Sequence, residues 1–172
     1  MWPYWFVFLI PASAAALGRR LPPATVNRAG RIRDIFEWLC IALILWLMIG
    51  FRHEVGGDWF NYLGHYYNAQ QIRLVEVLDG KDPGYQLFNW ISAKLGLGVQ
   101  GTNLMSGALF SVWLVNFCRS LPRPWLALSV SVPYLVIVVA MGYSRQGVAL
   151  GLSMVGLVAL VQNSTPWFVC WI

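Results

Sequence analysis

The sequence predicts an all-α, polytopic transmembrane helical bundle with an amphipathic, re-entrant segment on its extracytoplasmic side. Three observations carry that expectation. Hydrophobic residues make up 58% of the chain and charged residues 11%, with a mean hydropathy of +0.59, whereas a soluble domain is about 25% charged. Apolar runs recur along the chain and are separated by short polar turns. One long polar passage, Phe51 to Ser92, interrupts them and gathers Arg52, His53, Glu54, Asp58 and His65 into a single window. Charges beside a bilayer are costly unless they face water, pair or perform a task.

The net charge of +5 does not indicate a nucleic-acid partner. Five arginines (Arg19, Arg20, Arg28, Arg31 and Arg33) fall in one loop between apolar runs, which the positive-inside rule explains, and no RNA-binding motif accompanies them. Cys40, Cys118 and Cys170 sit in or beside apolar segments without metal-ligand spacing and read as buried thiols, and no metal site is expected.

The elements follow in order. Residues 1–17 are apolar and lack a basic n-region, so they suit an anchor with its N-terminus outside better than a signal peptide. Residues 19–34 form the basic cytoplasmic loop, broken by Pro22 and Pro23. Residues 35–51 are the second span, with Trp38 and Trp46 at interfacial positions. The outer loop, 52–101, carries Arg52, Arg73 and Lys81 against Glu54, Asp58, Glu76, Asp79 and Asp82, the opposite balance to the first loop. Within it, 58–71 reads as an interfacial helix. Asp58, Asn61, Tyr62, His65 and Asn68 share one face at three- and four-residue steps, with Phe60, Leu63 and Tyr67 opposite. Asp82 suits an N-cap and Pro83 the first helical position.

The segment 85–97 is short for a span and is read as dipping and returning. That reading places Arg119 and Arg123 inside. Spans at 102–117, 125–141 and 148–161 then bring Arg145 back to the outer face, beside Arg52 and Asp58. Residues 163–166 form a turn. An apolar run starting at 167 holds six residues, too few to cross a bilayer. The chain is therefore expected to be a single membrane domain over 1–172, the N-terminal part of a longer protein.

Three pieces, in this order, resemble the EpsG-type exopolysaccharide polymerase family, which is related in role to the Wzy polymerases. RHEVGGDWFNY (Arg52 to Tyr62) is similar to the family's Arg-x-x-x-Gly-x-Asp-aromatic-x-x-Tyr. DPGYQLFNWIS (Asp82 to Ser92) is similar to its acidic-Pro-Gly-aromatic segment. SRQGVALGL (Ser144 to Leu152) is similar to its Arg-Gln-x-x-Ala helix start. The likeness covers roughly residues 36–160, the N-terminal half of a typical member. Asp82 stands where the family more often has Glu, and Gly57 where Thr is common. The shorter carboxylate at Asp82 points towards capping.

The resemblance implies a glycosyltransferase in the bacterial cytoplasmic membrane, acting at its outer face. It would move a growing glycan from undecaprenyl diphosphate onto the next lipid-linked oligosaccharide. No cofactor or nucleotide sugar is implied, and the partners would be the lipid bilayer and other polysaccharide-synthesis membrane proteins. Such a transfer needs a cation for the departing diphosphate and a base for the acceptor hydroxyl. A guanidinium suits the first task, with Arg145 the first choice and Arg52 the second. Asp58 is the leading base, followed by Glu54, His53 and His65. Tyr62 and Trp59 suit sugar stacking, and Asp82 and Gln146 fall in the matched pieces as substrate contacts. Plainer roles stand beside these: an N-cap for Asp58, a snorkelling span end for Arg52 and a turn marker for Arg145. A flippase for the same lipids, or a non-catalytic scaffold, would share the arginines.

Overall fold

The computed structural model describes residues 2–18, 28–78, 82–161 and 168. Among them all regular secondary structure is helical. In order come α1 (Trp2–Ala16), α2 (Arg28–Gly50), α3 (Trp59–Gln71), α4 (Leu74–Leu78), α5 (Pro83–Lys94), α6 (Gly98–Ser120), α7 (Pro124–Ser131), a π-helical continuation (Val132–Ala140) and α8 (Ser144–Val161). Arg19, Arg20, Pro22, Pro23, Asp79, Lys81, Cys170, the turn at 163–166 and the apolar start at 167 lie outside the described residues.

Helix α6 is the central rod. It packs antiparallel to α2, and α5, α7 and α8 lean on its other sides. The crossing with α2 is close because Gly107 lies under Ile49, where an added Cβ would stand 3.0 Å from Ile49 Cγ2. Leu45 and Ile49 of α2, Phe110, Leu114 and Cys118 of α6, and Leu128, Val132 and Val136 of the α7–π-helix run form the core. Burying a side chain of this size is worth about 1.5–3 kcal/mol. Helix α1 closes the outer side of α7 and the π-helix.

Two anchors fix which ends lie together. Arg119 meets Asp34 at 3.0 Å at one end. At the other, Trp46 Nε1 donates to Leu104 O at 2.8 Å. Arg119 and the start of α2 therefore share an end, as the charge pattern of the sequence required. Trp38, near that first end, is buried and stacks on Trp125, with ring centroids 4.5 Å apart, an aromatic pairing favourable beyond its buried area. The basic loop is also shorter than expected, since α2 begins at Arg28 and takes in Arg33 and Asp34.

The outer loop folds into three helices lying on one end of the bundle. Helix α5 has 12 residues, about 18 Å at the usual rise, too short for a hydrocarbon layer of about 30 Å. It turns back into α6 through Gly96 and Gly98, both with positive φ. Ser92 Oγ donates to Gly98 O at 2.5 Å, and Thr102 Oγ1 donates to Asn89 Oδ1 at 3.2 Å. These bonds tie α5 to α6, and the chain reverses between the two helices.

Among the described residues one helix, α8, is long and apolar enough to cross a membrane. Helix α1 and the run from α7 through the π-helix are apolar but shorter. The expected spans at 35–51 and 102–117 fall within α2 and α6, each of 23 residues. These reach about 34 Å, but α2 carries Arg33, Asp34 and Glu37, and α6 carries Asn103, Asn116 and Arg119.

Candidate functional site

The break between the π-helix and α8 is the focus of the site. A helix C-terminus leaves carbonyls without amide partners, and here Arg52 supplies them. Its Nη1 donates to Ala140 O at 2.9 Å and to Met141 O, and its Nη2 donates to Asn103 Oδ1 at 3.1 Å and to Ser144 Oγ. Ser144 Oγ in turn donates to Asn103 Oδ1 at 3.2 Å. A cation at a helix C-terminus also interacts favourably with the dipole. Arg52 is 3% exposed. Burial draws its guanidinium below the usual range, opposed by the Tyr62 and Tyr85 phenols. It neither snorkels nor faces solvent, but clasps α2, α6 and α8 together.

Gly56 completes the clasp. Its φ is +98°, and a Cβ there would stand 2.6 Å from Gly142 O and 2.7 Å from Gly142 Cα. Only glycine serves a position that combines a left-handed backbone with such close approach. The first sequence piece therefore grips the third through Arg52 and Gly56, and so sets the direction in which α8 starts.

The next residue along α8 is Arg145, which points outward. Its Nη1 donates to Asp82 Oδ2 at 2.8 Å, and its Cζ lies 5.8 Å from the Tyr85 ring centroid. The side chains are 38% and 52% exposed. Asp82 holds the N-cap position of α5 without making a side-chain capping bond. The capping role expected for it gives way to the ion pair, because a carboxylate gains more from a nearby guanidinium than from a neutral amide. The second piece thus joins the other two.

Helix α3 covers this junction with a face of Trp59, Tyr62, Tyr66 and Ala69. Tyr62 is fully buried, with its ring 5.6 Å from that of Tyr85. Burial, reinforced by Asp58, pushes the Tyr62 phenol up, and burial with Tyr62 pushes Tyr85 up further. Both therefore remain protonated. Phe60 and Tyr67 are exposed as expected, but Leu63 is half-buried against the α3–α5 cluster. Asp58 occupies the N-cap position of α3 and makes no capping bond. Its Oδ1 accepts from Asn61 Nδ2 at 3.0 Å.

His65 sits edge-on to Tyr85, with ring centroids 6.4 Å apart. Burial and then the positive charge of Arg145 lower its pKa, opposed by Asp82 and Asp58. The folded protein holds this imidazole neutral where an unfolded chain, with a value of 6.5, takes up a proton. Its contribution to stability is therefore intact above pH 6.5 and is lost as pH falls through the unfolded value towards the folded one. Melting curves of the purified protein from pH 7.5 to 5.5 should show a drop in transition temperature that His65→Asn flattens. An unchanged slope would remove His65 from the buried cluster.

The remaining sequence candidates lie apart. His53 packs on Trp59, with centroids 5.5 Å apart. Both line a separate hollow of about 240 Å³ with Leu63, Tyr66 and Gln100. Glu54 is exposed at φ +52°, and Gln146 is exposed beyond Arg145. Sequence reasoning missed Asn103 and Ser144, although a polar Asn within an apolar helix was a signal for the first. It also missed a polar cleft of about 350 Å³ beside His65, walled by α3, α4 and α5.

Neither a curated protein nor a solved structure matches the chain. A family model, the EpsG family, matches residues 35–172. That range takes in all three sequence pieces and every residue of the Arg52–Arg145 junction, and it associates the chain with exopolysaccharide synthesis at a membrane. The chain belongs to the EpsG family.

Proposed function

We propose that this protein is a multi-pass membrane polysaccharide polymerase that moves a growing glycan from undecaprenyl diphosphate to the next lipid-linked repeat unit at the outer face of the bacterial cytoplasmic membrane. The observation that carries the reading is the convergence of three separate sequence pieces on one exposed guanidinium, Arg145. The membrane arrangement draws support from the outward face of α2. Phe36, Leu39, Leu43 and Leu47 are 65%, 62%, 47% and 40% exposed, an apolar stripe that suits lipid better than water.

In this reading the acceptor hydroxyl oxygen attacks the anomeric carbon of the lipid-linked glycan. The bond from that carbon to the diphosphate oxygen breaks, and the lipid diphosphate leaves with the electron pair. Arg145 holds the departing diphosphate through its two-pronged donor set. It is available because an exposed ion pair such as Arg145–Asp82 is worth only about 0–1 kcal/mol, so a multiply charged diphosphate displaces Asp82. The hydroxyl proton goes to His65, kept neutral by its surroundings, or to Asp58 seven residues earlier on the same helix face. An acidic limb of the rate profile that lies below the ordinary histidine value and is lost in His65→Asn would assign the base to His65. Arg52 takes the part of a positioning residue.

A flippase for the same lipids would bind the diphosphate without breaking a bond. The deciding experiment deletes the gene and locates the lipid-linked repeat units. Accumulation of single units on the outer leaflet supports polymerisation, and accumulation on the inner leaflet overturns it in favour of transport. Normal glycan length in altered amount would point instead to a scaffold.

A further inference from the structure

We propose that the cleft between α3, α4 and α5 is a saccharide subsite that holds the acceptor's terminal sugar beside His65, and that it selects uncharged or amino sugars against uronic acids. The acceptor assignment rests on the polymerase reading above; the saccharide chemistry does not. The cleft measures about 350 Å³, at the lower end of small-ligand sites. His65, Asn68, Gln71, Glu76, Gln86 and Asn89 line it. Four carboxamides in one cleft are the feature that points to a ligand. Each carboxamide offers a donor and an acceptor in one plane, which matches the paired hydroxyls on adjacent sugar carbons.

The four are not equivalent. Asn89 is buried and fixed, donating to Tyr85 O at 3.0 Å and accepting from Thr102. Asn68 and Gln71 are exposed and Gln86 is half-buried, and none of the three side chains makes a hydrogen bond to another described residue. They stand ready for an incoming hydroxyl. A site built to bond hydroxyls rejects analogues that leave its groups unpaired.

Charge supplies the second selection. Among the described residues Glu76 is the one carboxylate in the lining, and its Oε2 accepts the Arg73 backbone N–H at 3.4 Å. Among the described residues no lysine or arginine lines the cleft. Arg145, beyond His65, is paired with Asp82. A uronic acid carboxylate would meet Glu76 without compensation, whereas an amino sugar would gain from it. His65 is the lining residue that also belongs to the Tyr85–Arg145 cluster, so a sugar seated here presents a hydroxyl to the proposed base.

The test is ligand-observed NMR on the whole protein in lipid nanodiscs, with methyl glycosides of glucose, glucosamine and glucuronic acid as probes. The first two should bind, and the glucuronide should bind roughly tenfold more weakly, a difference of about 1.4 kcal/mol. Asn68→Ala with Gln86→Ala should abolish the signal, while Glu76→Gln should restore the glucuronide. Equal binding by the double variant, or equal binding of glucuronide and glucoside, overturns the proposal. So does binding that requires a phosphate on the anomeric oxygen, because that assigns the cleft to the donor. The assay needs no turnover. Should deletion of the gene leave the lipid-linked units on the inner leaflet, the acceptor assignment falls with the polymerase reading while saccharide binding stands.

Discussion

Arg145→Lys is expected to abolish long glycans in a complementation assay while the protein still inserts and melts as the parent does. Lysine keeps the charge, so the ion pair to Asp82 survives in altered form and the fold is untouched. The loss lies in the planar fork, since an ammonium binds the diphosphate as a point charge and cannot hold two oxygens at once. Removing one well-placed donor from developing oxyanion charge costs about 10²–10³ in rate. Glycan length on gels, with insertion checked by membrane fractionation, reads the effect. Asp82→Asn is the companion variant. It breaks a pair that is 38% and 52% exposed and should leave the melting temperature within a few degrees, because such pairs contribute about 0–1 kcal/mol. Long glycans from Arg145→Lys would remove the guanidinium from the chemistry.

How much of this was legible in the sequence depends on the range of the interaction. The three pieces, the helix over 59–71, the start of α5 at Pro83 and the return of Arg145 to the end that holds Arg52 could all be read from charge placement, turn residues and helical spacing. Each of those signals is local or is set by the bilayer. The partners of Arg52 were hidden for a different reason. Its acceptors are backbone carbonyls at Ala140 and Met141, and any residue has a carbonyl, so no sequence pattern marks them. The same holds for Gly56, whose neighbour is the backbone of Gly142. Asp82 was read as a cap because its cap position is local, while its real partner lies 63 residues away. The π-helix was invisible because VPYLVIVVA is apolar on every side and carries no periodicity that could show a slipped ladder. The polar cleft was hidden because the residues after α3 look like an ordinary solvated loop, and α4, with Val77 fully buried, gives them a wall.

Arg52→Gln should behave unlike any Arg145 variant, and that contrast separates a residue that places the site from one that touches substrate. The Arg52 guanidinium is buried and is held by neutral acceptors on two helices and a helix end, with no carboxylate among its partners in the described residues. Hydrogen bonds to a charged group contribute about 1.5–3 kcal/mol each, and orphaning their buried acceptors carries a desolvation penalty besides. Glutamine has two amide donors on a shorter stem and cannot satisfy acceptors on both sides of the 140–144 break, so a loss of roughly 3–5 kcal/mol is expected after relaxation. For a domain of this size that corresponds to a fall of roughly 6–20 °C in melting temperature. Activity should fall with it, because the start of α8 is no longer held where Arg145 meets Asp82 and Tyr85. Gly56→Ala should reproduce both effects without touching a charge, since a left-handed backbone and the Gly142 carbonyl at 2.6 Å leave a Cβ nowhere to go. An Arg52→Gln protein that melts like the parent and loses only activity would place this guanidinium on the substrate instead, and the clasp would have to be assigned to Gly56 and Ser144 alone.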